Sequence, residues 1–208
     1  MLAHAYWLMK SEPHEFAITD LKEQKVHYWD GVRNYEARNF MRDRMRIGDL
    51  VVFYHSNADP TGPAGVAKVA SASYPDFTQW DKTNKYYDPK ATKEKPIWFM
   101  VDVRYVRSFP RVITRDELKK DPALTNMLLW KRNRLSITPL TKKEFDTIIE
   151  DARKTPTSRI FHSKHCAGDQ GWSRITKSFD AKAVKSQSVR DPDSPPHKAS
   201  AWLRLSTL

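Results

Sequence analysis

The stretch HYWDGVRNYEARNF, residues 27–40, decides how the rest of the chain is read. Tyr28 and Trp29 lead into an Asp30-Gly31 turn, and Arg33, Asn34, Arg38 and Asn39 follow. A core segment wants apolar residues and a solvated face wants Lys and Glu, so this mixture serves neither purpose well. A turn that presents a tryptophan and hydrogen-bonding groups beside a helix N-terminus suits a planar polar ligand. The helix predicted from Asn34 onward has two faces. Ala37, Met41 and Met45, with Phe40 beside them, form an apolar stripe for a core. Asn34, Arg38 and Arg42 form a polar stripe that ends in two cations.

Upstream, Ala5 to Lys10 reads as a short strand closed by Ser11-Glu12-Pro13, because Pro13 holds Glu12 out of helical geometry. A short helix follows, with Thr19 as its expected N-cap. Downstream, Gly48-Asp49 turns the chain into LVVFYH, residues 50–55. This β-branched and aromatic run reads as a buried strand ending in His55-Ser56-Asn57. Residues 58–63 are a turn by composition, and 65–72 read as the hairpin partner. Residues 73–97 look like an inserted loop, and 98–109 like one long strand. Thr114 with Glu117, and Thr141 with Glu144, are capping boxes that open helices. Between them lie a helical fragment over 123–129 and a strand over 134–137. Four or five strands with short helices predict an α+β domain on a curled sheet or small barrel. After about Arg153 the apolar period is lost, and DPDSPP, residues 191–196, marks a poorly structured tail. The expected division is a domain over 1–153 and a basic, disordered C-terminal extension over 154–208.

The formal net charge of the 208 residues is +11, which favours an anionic partner, with nucleic acid first and an anionic membrane second. The surplus is concentrated late: residues 151–208 hold 11 Lys and Arg against 5 Asp and Glu. No run of 18 apolar residues exists to span a membrane, and the N-terminus lacks the pattern of a signal peptide. The single cysteine, Cys166, excludes an intramolecular disulfide framework and agrees with a reducing compartment. An intracellular monomer is expected, nuclear where the source cell has a nucleus and otherwise cytoplasmic or at the nucleoid.

Catalytic motifs are absent: there is no Gly-rich phosphate loop, His-Glu-x-x-His helix or nucleophile elbow. Glu12, Asp30 or His55 could serve as acid–base groups of an enzyme acting on a small nucleotide or modified base, and this is the alternative reading. Cys166, in His162-Ser163-Lys164-His165-Cys166, reads as an incidental cluster rather than a nucleophile. No metal or other cofactor is expected. A third reading is a protein-interaction module whose basic tail binds acidic partners.

A binding site reads more directly. A planar heterocycle needs a ring to stack on and fixed donors and acceptors at its edge. Trp29 or Tyr54 can stack, while Ser11, Asp30, Asn34 and Ser56 can read edges. Lys10, Arg33 and Arg38 can hold phosphates. Each residue also has an ordinary structural reading: Trp29 as a core ring, Asp30 as acceptor for its own turn, His55 as a satisfied structural histidine, and Arg42 with Arg44 as a solvated face.

Several motifs carry a family resemblance: Tyr6-Trp7-Leu8 with Lys10-Ser11-Glu12-Pro13, Trp29-Asp30-Gly31-Val32-Arg33-Asn34-Tyr35 with Ala37-Arg38-Asn39, and Phe53-Tyr54-His55-Ser56-Asn57. Tyr74-Pro75-Asp76, Lys85-Tyr86-Tyr87-Asp88-Pro89-Lys90, Trp98 with Val101-Asp102-Val103, and Arg134-Leu135-Ser136 extend it. Over residues 5 to about 150 the chain resembles the EVE domain of the PUA-like superfamily, departing mildly at Glu36 and Trp130. The resemblance implies a small curved β-barrel or sheet flanked by short helices. It also implies a non-catalytic reader of modified nucleic-acid bases, with 5-substituted cytosine in DNA favoured and RNA possible. The base would be extruded into an aromatic-lined pocket. The residues implied for that pocket are Lys10, Ser11, Glu12, Trp29, Asp30, Arg33, Asn34, Tyr54, His55 and Ser56, with Arg38 and Arg42 on the phosphates.

Overall fold

The computed structural model describes residues 4–154. The extension expected beyond that point, with Cys166 and its histidines, lies outside the described residues.

Leu50–His55 is the strand its composition predicts, here β3, and its first five residues are buried. It lies parallel to Tyr6–Ser11, β1, in the register Tyr6 with Leu50 through Ser11 with His55. Its other neighbour is antiparallel: Gly62–Val69, β4. This partner starts three residues earlier than its composition suggests. Gly62 enters the strand hard against the Ile113 carbonyl, where a Cβ would lie 1.7 Å from the oxygen, so no other residue fits. The whole sheet has six strands in the order β2-β7-β4-β3-β1-β8, where β2 is Val26–Tyr28, β7 is Asp102–Ser108 and β8 is Ile137–Leu140. Two register shifts, at Phe53/Tyr54 and Val66/Ala67, interrupt its ladders.

Sequence periodicity misses two features of this sheet. Residues 98–109 are not one strand: Phe99–Met100, β6, leaves the main sheet to pair with Tyr74–Pro75, β5, and only then does β7 begin. The expected strand over 134–137 instead begins at Ile137, leaving Arg134 to Ser136 in a loop.

The helices are short: Ile18–Gln24 (α1), Tyr35–Asn39 (α2), Arg115–Lys120 (α3), Leu128–Lys131 (α4) and Lys142–Asp151 (α5). Both capping boxes form, Thr114 with Glu117 and Thr141 with Glu144. Thr19, by contrast, lies inside α1. The cap is Ala17, whose N–H donates to Asp20 Oδ2 at 2.8 Å. After α2 the chain widens into a π-helical turn, Phe40–Arg44, and the expected stripe of Ala37, Met41 and Met45 is buried. It packs in one core with Trp7, Met9, Val51 and Phe53 from β1 and β3. A buried carboxylate ties the start of both strands: Asp49 accepts the Trp7 indole N–H at 3.0 Å and the Ala5 N–H at 2.9 Å.

Candidate nucleic-acid interface

Parallel pairing explains why two distant polar clusters meet. Strands β1 and β3 run the same way, so Ser11-Glu12 and Ser56-Asn57 leave the sheet at the same end. There Ser56 N–H donates to the Ser11 carbonyl at 2.9 Å, and Asn57 Nδ2 donates to Glu12 Oε1 at 2.6 Å. These strand ends form one wall of a cleft of about 920 Å³. The focal turn, residues 27–33, forms a second wall. Loops at 83–86 and 133–136 complete the rim.

The focal turn is held from beneath by a carboxylate it does not contain. Asp76 has no exposed surface and accepts from Gly31 N–H at 3.0 Å and Arg33 Nη1 at 2.7 Å. Arg33 also donates to Thr78 Oγ1 at 2.8 Å and, through Nη2, to the Tyr86 carbonyl at 2.6 Å. Its guanidinium carbon lies 5.2 Å from the Tyr86 ring centre and 5.3 Å from that of Trp98. Every strong donor on Arg33 is therefore committed to protein. Gly31 has φ +73°, and a Cβ there would lie 2.5 Å from Tyr86 Cε2, so glycine lets the ring close on the turn.

The walls combine rings with ionisable groups. Trp29 is 6% exposed and meets Phe53 edge to face at 5.3 Å and 77°. No hydrogen bond from its indole N–H is made among the described residues. His27 stacks between Phe16 at 4.5 Å and Tyr28 at 4.1 Å, and burial holds its pKa below the usual histidine value. Burial, reinforced by the negative charge of Asp76, raises the Asp30 carboxyl to about 6. Lys10 Nζ donates to the Asn133 carbonyl at 2.7 Å, and burial together with nearby Arg115 lowers its pKa. Lys85 pairs with Glu15 at 2.8 Å across the exposed rim.

Of the residues singled out from sequence, Lys10, Ser11, Glu12, Trp29, Asp30, Arg33 and Ser56 border the cleft. Asn34, Tyr54 and His55 do not. Asn34 caps α2, its side-chain oxygen accepting from Glu36 N–H at 2.9 Å and Ala37 N–H at 3.1 Å. His55 Nε2 accepts the Ile18 N–H at 3.2 Å at the start of α1, and burial lowers its pKa, which favours the neutral acceptor form. Tyr54 is buried within β3. Arg38 donates to the Ile97 carbonyl at 2.9 Å and lies over the Tyr35 ring, while Arg42 is paired with Asp43 at 2.7 Å. Of the three groups in the enzymatic alternative, Glu12 and Asp30 share the cleft and His55 is spent on a helix end. Among the described residues no three His, Cys, Asp or Glu side chains gather as a metal site.

Phe16, His27, Tyr28, Lys85, Tyr86, Asn133 and Arg134 also line the cleft, and none of them is among the site residues singled out from sequence, although His27 and Tyr28 lie in the focal stretch. A signal was present in Lys85-Tyr86-Tyr87, where a cation sits beside aromatics inside a loop otherwise read as an insertion.

Comparison with known proteins agrees with this architecture. Human thymocyte nuclear protein 1 is 44% identical over 172 residues, covering 74% of this chain and 76% of that protein. A crystal structure of the human protein in complex with 5-methylcytosine-containing DNA superposes with a TM-score of 0.69 at 44% identity, covering 73% of this chain and 99% of that one. A hypothetical protein from Leishmania major superposes with a TM-score of 0.70 at 51% identity, over 72% and 95% of the two chains. The EVE domain profile matches residues 5–151, from the residue before β1 to the end of α5, and the chain belongs to the EVE domain family.

Proposed function

We propose that this protein is a non-catalytic reader of modified bases in DNA, with 5-substituted cytosine as ligand. The observation that carries the reading is the human relative's complex with 5-methylcytosine-containing DNA, at 44% identity across nearly that whole chain. The cleft agrees with it in size and chemistry. About 920 Å³ lies within the range of roughly 300–1,000 Å³ common to small-ligand sites, ample for one extruded nucleoside. Unstacking a nucleotide costs a few kcal/mol, and stacking on Tyr28, Trp29 or Tyr86 with edge bonds to groups such as Asp30 offsets that cost. In the same proposal residues 1–153 are the reader, 154–208 an extension, and the protein works as a monomer inside the cell. A nuclear site fits the human relative's name, and among the described residues no helix is long and apolar enough to cross a membrane.

Equilibrium binding to two duplexes that differ only in one 5-methylcytosine tests the reading. The expected preference for the methylated duplex is about tenfold, roughly 1.4 kcal/mol. Equal affinities would reject it. A matching RNA pair, bound more tightly than the DNA, would move the ligand class from DNA to RNA.

A further inference from the structure

Arg38 and Arg42, the cations that sequence assigns to phosphates, are engaged with Ile97 and Asp43, so the phosphate contacts need another source. Residues 131–134, Lys131-Arg132-Asn133-Arg134, are four consecutive exposed positions that run from the last residue of α4 into the loop before β8. Among the described residues Lys131 and Arg134 make no ion pair or side-chain hydrogen bond, whereas Arg132 is paired with Glu36. The loop borders two depressions at once. Asn133 and Arg134 line the main cleft. The same two residues, with Lys131, Arg132 and Asn34, line a neighbouring groove of about 200 Å³.

The loop is also held in place. Leu135 behind it is buried, and Leu135 N–H donates to the Arg132 carbonyl at 3.0 Å. Lys10 grips it twice, with its backbone N–H on the Ser136 carbonyl at 2.8 Å and its Nζ on the Asn133 carbonyl at 2.7 Å. Two cations without an ion-pair partner among the described residues, on an anchored segment where the cleft and a second groove share lining residues, match a polyanion that runs from one to the other. A phosphodiester chain entering and leaving the cleft is such a polyanion.

We infer that the 131–134 loop is a phosphate shelf: Lys131 and Arg134 bind the DNA backbone flanking the nucleotide held in the cleft. This inference rests on the DNA-reader proposal for its ligand, yet its contribution is independent of base identity. Held cations of this kind supply affinity and register, while the cleft supplies discrimination.

The test uses the full chain, a Lys131→Ala/Arg134→Ala double variant, and a charge-matched Lys90→Ala/Lys93→Ala control on a loop away from both depressions. Affinity for methylated and plain duplexes is measured across a salt series, with thermal melts to verify folding. The shelf variant should bind both duplexes about tenfold more weakly and keep its methylated-to-plain ratio. Its log–log salt slope should be shallower by roughly 2, near 0.9 per lost phosphate contact. The control should match wild type. An unchanged slope, or the same slope loss in the control, overturns the shelf. If wild type fails to discriminate methylated from plain DNA, the base-reader proposal falls while the slope comparison still decides the shelf. A wild-type chain that binds neither duplex overturns both.

Discussion

Arg33 and Asp76 form a 2.7 Å ion pair in which the carboxylate has no exposed surface and the guanidinium side chain is 20% exposed. It fastens the focal turn to the segment after β5. Replacing Arg33 by Met leaves a buried, uncompensated carboxylate and is expected to cost about 3–5 kcal/mol in urea unfolding. Adding Asp76→Leu should not restore stability, because Gly31 and Thr78 N–H both lose their acceptor. Full recovery in the double variant would show that the pair is only an isolated electrostatic contact.

Asp30 gives the cleft a pH signature. Burial first, and the charge of Asp76 second, raise its carboxyl from 3.8 to about 6. Between those values the folded chain holds a proton that the unfolded chain has released. The stabilisation this brings is complete below a pH of about 4 and is lost as pH rises through about 6. Asp30→Asn removes the titration. Its melting temperature should therefore gain on wild type across that window and hold the gain above it. Parallel melting curves at all pH values would show that Asp30 ionises at its ordinary value.

Gly31→Ala should lower stability through two separate effects. A left-handed backbone costs an alanine about 1–2 kcal/mol, and the methyl would also push into the Tyr86 ring. Since Tyr86 lines the cleft, the variant should also lose preference for methylated over plain duplex. Lowered stability with intact preference would separate the Tyr86 wall from base recognition.

Arg38→Ala is expected to behave as a packing variant. Loss of the Ile97 carbonyl bond and the Tyr35 ring contact should cost about 1–2 kcal/mol in thermal or urea unfolding. The salt slope of DNA binding should be unchanged. A shallower slope would place Arg38 on the phosphates after all.

Local chemistry made much of the fold legible. The β-branched run at 50–55 is β3, Thr114-Glu117 and Thr141-Glu144 are caps, and Ala37, Met41 and Met45 face the core. Each of these signals lies within a few residues, where periodicity and capping operate. Asn34 and His55 mark the limit of such reading. An asparagine or histidine at a strand end or turn has the same chemistry whether it meets a ligand or an orphan helix N–H, and both are spent on helix starts.

Sequence by itself determined the α+β class, the aromatic turn around Trp29 and the motifs of the EVE domain. Tertiary structure alone decided that β1 and β3 run parallel, so that Ser11-Glu12 and Ser56-Asn57 share one rim. It also decided that Asp76, 43 residues from Arg33, holds the turn, and that Lys131 and Arg134, unpaired among the described residues, stand at the cleft and its neighbouring groove. The physical reason is range. Strand direction, a buried counter-ion and a free cation all depend on which distant groups come within a few ångströms, and no local pattern records that.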